Sequence, residues 1–179
     1  DKTNFLIEDG LTGIVGPNGC GKSNIVESLR WVMGETSAKS MRGSGMEDVI
    51  FSGTSNKASK NIAEVSVLVT NKNNEGPIQF REFDEVNVRR KIEKDKGSKF
   101  YINDKEVRAR DAQMFFADLS TGAHSPSMIS QGRIGALVTA KPTDRRAILE
   151  EAAGISGLHV RRHEAELRLT AAENNLKRA

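Results

Sequence analysis

Apolar residues recur along this chain with different periods, and the changes of period divide it. Leu11-Thr12-Gly13-Ile14-Val15 is a short apolar run that predicts a buried strand. Ile25, Val26, Leu29 and Val32 follow at helical spacing, and Gly34 stands where such a helix would be capped. A Gly- and Ser-rich stretch from Gly34 to Gly53 then breaks the periodicity. From about residue 61 to 119 the pattern is mostly β: Ala63 to Val69, Val86 to Ile92 and Lys99 to Ile102 alternate or run apolar, with polar turns between them. Asp111 to Leu119 predicts a short helix with Met114, Phe115 and Leu119 on its inner face. After a loop from Ser120 to Ser127, helical spacing returns from Thr143 through Ala153, Gly154 and Gly157 punctuate it, and a last helix runs to the end. In that helix Leu158, Ala165, Ala172 and Ala179 repeat every seven residues, and Arg162, Leu169 and Leu176 fall four residues later, an imperfect a/d seam. A seam this short, with an arginine in it, suits a surface helix as well as a coiled coil, and no stop signal precedes Ala179.

Between the first strand and the first helix lies Gly16-Pro17-Asn18-Gly19-Cys20-Gly21-Lys22-Ser23, a complete phosphate-binding loop. A backbone that wraps a triphosphate must turn sharply and aim successive N–H groups inward, and the glycines remove the side chains that would obstruct it. Lys22 brings a compact cation to the outer phosphates, and Ser23 offers a hydroxyl to Mg²⁺. The helix that follows adds about half a positive charge and unpaired donors at its N-terminus. Strand, loop and helix in this order predict a protein that binds a nucleoside triphosphate. Cys20 contributes smallness to the loop.

Composition narrows the setting. The chain has 179 residues, enough for one domain or one lobe of a larger one. A single cysteine excludes a disulfide framework, and no apolar run has the length of a membrane span. With no secretory signal in view, the expectation is a cytoplasmic location. His124, His159 and His163 are scattered, without Cys or paired carboxylates at ligand spacing, so no metal beyond Mg²⁺ is assigned. The net charge of +3 permits contact with nucleic acid. Lys57, Lys60, Arg89, Arg90, Lys91, Arg108, Arg110, Arg161 and Arg162 are the residues available for a basic face that grips phosphates without reading sequence. Interleaved Glu82, Asp84, Glu85 and Glu93 fit ordinary solvated strand faces equally well, and scarce aromatics argue against base recognition.

Taken together, six blocks in order resemble the N-terminal head segment of the structural maintenance of chromosomes (SMC) family, with the likeness greatest to its bacterial chromosome-condensation members. They are Gly16 to Asn24 with Trp31-Val32-Met33-Gly34-Glu35, Lys39-Ser40-Met41-Arg42-Gly43, Asp48-Val49-Ile50-Phe51-Ser52-Gly53, Ser130-Gln131-Gly132, and the run from Arg145 to Ile155. Two departures affect the hairpin and the neck: Asn103-Asp104 replaces an Asn-Gly turn, and Gly157-Leu158-His159-Val160 replaces a more basic, aromatic-containing stretch.

The resemblance implies an α/β fold: half of an ABC-type P-loop ATPase head, with a mixed sheet under the phosphate loop, a flanking antiparallel β-layer and an emerging coiled-coil helix. It divides the chain into an N-terminal lobe at 1–157 and the start of an arm at 158–179. It implies ATP and Mg²⁺ as ligands, held by Gly16, Pro17, Asn18, Gly19, Cys20, Gly21, Lys22, Ser23 and Asn24, with Ser23 and Gln131 on the metal. Lys22, Gln131 and Arg42 take the catalytic roles: Gln131 as the Q-loop glutamine that senses the γ-phosphate, Arg42 beside that phosphate and linked to DNA-stimulated hydrolysis. No Walker B strand ending in Asp-Glu and no Leu-Ser-Gly-Gly-type signature occurs here. In the family both lie in the C-terminal head segment, so this chain alone is expected not to turn ATP over. The implied partners are that segment, a second head in a homodimer, DNA without sequence preference, and accessory bridging subunits, but no membrane; the implied location is the nucleoid. Two other classes share the loop: a coiled-coil DNA-repair ATPase, against which the run from Arg145 to Ile155 argues, and a self-contained P-loop enzyme, which would need its own acid here.

Overall fold

The structure is a computed structural model that describes residues 2–37, 45–71, 77–119, 128–129, 135, 138–153 and 156–177, in part as backbone in the last two helices. Helix α1 (Lys22–Val32) follows the phosphate loop and buries Trp31 and Val32 at its C-terminal end. Strands β1 (Ile62–Thr70), β2 (Glu85–Glu93), β3 (Gly97–Ile102) and β4 (Lys105–Val107) form an antiparallel meander in chain order. Helices α2 (Ala109–Asp118), α3 (Pro142–Ala152) and α4 (Ser156–Leu176) complete the elements.

Strict alternation explains the sheet. Ala63, Val65, Val67 and Val69 of β1 point to one face, and Val86, Val88 and Ile92 of β2 to the same face, because register pairs Val67 with Val88 and Ala63 with Ile92. Helices α1 and α2 cover that face. One buried cluster joins Val32 of α1 to Val86, Val88, Phe100 and Ile102 of the sheet and to Ala112, Phe115 and Phe116 of α2. The Phe115 ring meets Phe80 and Phe116 edge-on, with ring centres 5.4 Å apart in each case. A second cluster packs Trp31 against Ile50 and Ile92. The β3–β4 turn keeps its tight geometry without glycine, since Asn103 and Asp104 both take positive φ, at 46° and 63°. Asn103 also bridges back to β2, its Oδ1 accepting the Asn87 N–H at 2.9 Å.

Two expectations are corrected. Leu11 to Val15 is not a buried strand: Leu11 is 97% and Val15 91% exposed, and no strand among the described residues pairs with this run. An isolated extended segment cannot satisfy its backbone N–H and C=O groups, so apolar content alone does not make a strand. For the same reason the mixed sheet beneath the phosphate loop is not formed among the described residues, where every strand pair is antiparallel; the flanking β-layer is. The last helix begins at Ser156, takes Gly157 into its first turn and packs against α2, while Leu167, Leu169 and Leu176 remain exposed.

Candidate phosphate-binding site

The loop folds back on its own lysine. Lys22 Nζ donates to the carbonyl oxygens of Gly16 and Pro17, at 2.6 Å each, and lies 3.9 Å from Cys20 Sγ. The ammonium thereby clasps the first arm of the loop to the helix that ends it. Gly21 precedes α1 in the left-handed region, at φ 88°, and no side chain caps the helix start. That start is therefore left for an anion, with the helix dipole adding to the Lys22 charge. The concavity is narrow: a Cβ on Gly16 would come within 3.0 Å of Cys20 Sγ. Residues 16–20 are exposed, Ser23 is half-buried at the head of α1, and Asn24 stands where the loop meets a groove of about 320 Å³ running along α1 past Ser28, Trp31 and Val65. This is a fit for a triphosphate: backbone space, a pinned cation, an uncapped helix and a hydroxyl in sequence. Arg42 and Gln131 lie outside the described residues.

Arg90 corrects the basic face. Three consecutive strand residues cannot share a side, and the alternation that turns Arg89 and Lys91 outward turns Arg90 into the core, where it is 3% exposed. Its Nη1 donates to the carbonyls of Trp31 and Glu35, at 2.7 Å each, and its Nε to Ser98 Oγ at 2.8 Å. The guanidinium lies over the Trp31 and Phe100 rings, 4.5 and 4.6 Å from their centres. Burial pulls its pKa down to about 10, against the opposing pull of Glu35. Glu35 is itself buried and pairs with Arg30 at 3.2 Å. Of the outward residues, Arg89 pairs with Asp104 at 3.0 Å and Glu64 at 3.6 Å, and Lys91 with Glu93 at 2.8 Å. This face is charge-balanced rather than basic. Arg162 is likewise paired, with Glu166 at 2.9 Å.

Sequence reasoning also missed Gln113, whose Nε2 donates to the Gly34 carbonyl at 2.7 Å. Nothing local marks it. For Arg90 a signal was present, since it stands two residues from both Val88 and Ile92 and thus on their side of the strand.

A loop, helix and β-layer of this kind define the N-terminal lobe of a P-loop ATPase head. The family model described as RecF/RecN/SMC N terminal domain matches residues 1–133, and the chain belongs to that family. Among its members the chain is an N-terminal head segment of the SMC type. It is 57% identical over 99% of its length to a chromosome partition protein Smc of Cereibacter sphaeroides, and 55% identical over 99% to one of Rhodopseudomonas palustris. It spans only 16% and 15% of those relatives. Solved structures agree. One, from work on ATP-driven dimerization and DNA-stimulated activation of SMC ATPases, shares 30% identity at a TM-score of 0.69, covering 82% of this chain and 86% of its own. Another, an Smc head domain with an extended coiled coil from Pyrococcus furiosus, bound to the C-terminal domain of ScpA, matches at 30% identity and a TM-score of 0.69 over 90% of this chain and 40% of its own.

Proposed function

We propose that this chain is the phosphate-gripping half of an ATP-driven, DNA-organising SMC head. The observation that carries the reading is the loop at residues 16–23, with Lys22 clasped to Gly16 and Pro17 and α1 left uncapped. Lys22 neutralises the outer phosphates, the loop N–H groups and helix start orient them, and Ser23 with Gln131 holds Mg²⁺. The metal would supply charge neutralisation when bound. By the family resemblance, Arg42 would act near the γ-phosphate and couple turnover to DNA.

The acids that position the attacking water come from the C-terminal head segment of the same polypeptide. The exposed Phe5, Leu6, Ile7, Leu11 and Val15 support that division, as apolar residues left uncovered among the described residues. A second head closes over two ATP molecules, so that ATP joins the heads and hydrolysis releases them. Accessory subunits of the ScpA kind bridge them, as one binds the Pyrococcus furiosus head. The lobe at 1–157 is then the catalytic part and 158–179 the root of the arm. The resulting activity is chromosome condensation and segregation on the nucleoid.

The test is ATP turnover by this chain alone and mixed with the C-terminal segment, with Lys22→Ala as control. Turnover confined to the mixture and lost with Lys22→Ala is expected. Robust turnover by the chain alone would overturn the half-site and favour a self-contained enzyme. In the assembled head, Arg42→Ala is expected to abolish stimulation by DNA while leaving basal turnover measurable; intact stimulation removes that role.

A further inference from the structure

The C-terminal end of α1 is held by side chains from two other elements. An α-helix ends with carbonyls that its own backbone leaves unpaired, carrying about half a negative charge. Here the carbonyl of Trp31, which also accepts the Gly34 N–H at 3.2 Å, and the carbonyl of Glu35 just beyond the helix both receive Nη1 of Arg90 from β2, at 2.7 Å, and the carbonyl of Gly34 receives Nε2 of Gln113 from α2, at 2.7 Å. Arg90 is itself fixed by Ser98 of β3 and by the two rings that flank it. Gln113 lies directly over Gly34, where φ is +104° and a Cβ would fall 2.3 Å from Gln113 Cγ. A buried arginine on the core face of a strand is costly unless every donor is used, and a leucine would fill that space more cheaply. What Arg90 provides that leucine does not is a directional hold on the helix end.

We infer that Arg90 and Gln113 are positioning residues that set the angle of α1, and through it the placement of the phosphate loop against catalytic groups brought by the rest of the head. The inference rests on the proposed role of the loop. Helix α1 has 11 residues. At about 1.5 Å per residue it is a lever of about 16 Å, so a tilt of about 4° at its C-terminal end moves the loop by about 1 Å. A misplacement of about 1 Å costs up to about 100-fold in rate. The loop's own fold is local, closed by Lys22 on Gly16 and Pro17, and survives such a tilt. Loosening the hold therefore leaves ATP binding intact and slows the chemical step. Helix α4, the root of the arm, packs against α2, so Gln113 also links the arm to the loop.

The experiment uses the complete SMC protein and the variants Arg90→Lys, Gln113→Met and Lys22→Ala. Lysine keeps the charge but loses the planar fork, and methionine keeps the bulk but loses the donor. Expected are a kcat at saturating ATP lowered about tenfold in Arg90→Lys and about threefold in Gln113→Met, with KM for ATP within about twofold of the parent. A merely structural role would lower the melting temperature and leave kcat per folded molecule unchanged. That result, or a raised KM with unchanged kcat, overturns the inference. If Arg90→Lys does not fold, Gln113→Met decides, since Gln113 lies on the exposed side of α2. Turnover that survives Lys22→Ala removes the loop reading itself. Turnover lost there but normal in the other two removes only the positioning role.

Discussion

Gly16 and Cys20 face each other across the phosphate loop with no room to spare. A methyl group on Gly16 would sit 3.0 Å from Cys20 Sγ, so Gly16→Ala makes the thiol, and the loop that carries it, shift by a few tenths of an ångström. The expected result in the assembled head is an ATP affinity reduced about tenfold, read by calorimetric titration, with little change in melting temperature. At the far end of the sheet, Glu93 accepts hydrogen bonds from Lys91 and Lys96, and these lower its pKa from 4.5 to about 2. A depressed folded pKa stabilises the hairpin fully above the unfolded value of 4.5, and the advantage is lost as pH falls through about 2. Carboxyl NMR of Glu93 should give a midpoint near the lower figure, and Glu93→Gln should flatten the acid limb of stability. A midpoint near 4.5 would mean that the two lysines do not hold it in solution.

Helix α2 ties the end of α1 to the sheet, because Ala112, Phe115 and Phe116 join Val32 to buried residues of β2 and β3. Phe115→Ala removes two edge-on ring contacts and leaves a cavity. It should destabilise the head by about 3–5 kcal/mol in denaturant unfolding, with no change in the nucleotide loop. The β-layer was readable because its signal is local: each strand alternates with period two, and the turn residues stand where the apolar runs stop. Even the loss of glycine at Asn103-Asp104 was absorbed, since Asn and Asp tolerate positive φ. The same parity puts Arg90 on the core side of β2, which its charge type alone does not reveal.

At the scale of the whole molecule, Phe5, Leu6, Ile7, Leu11 and Val15, and Leu167, Leu169 and Leu176 of α4, are exposed among the described residues. A surface of that kind makes the isolated segment associate. Light scattering on the chain alone should report oligomers or aggregates, and addition of the C-terminal head segment should convert them to a defined complex. A monodisperse monomer would argue that these residues are covered within the chain itself.

The sequence alone determined the phosphate loop, the helix after it and the β-layer, because each depends on spacing within a few residues. It also determined the family, through the order of its motifs. The tertiary structure decided what depends on residues far apart in the chain. Arg90 meets the carbonyl of Trp31 across 59 positions and Gln113 meets that of Gly34 across 79, and no local period records either meeting. Leu11 to Val15 shows the converse. Its apolar run is genuine, but a strand exists only where another backbone accepts its hydrogen bonds, and no such partner stands beside it among the described residues.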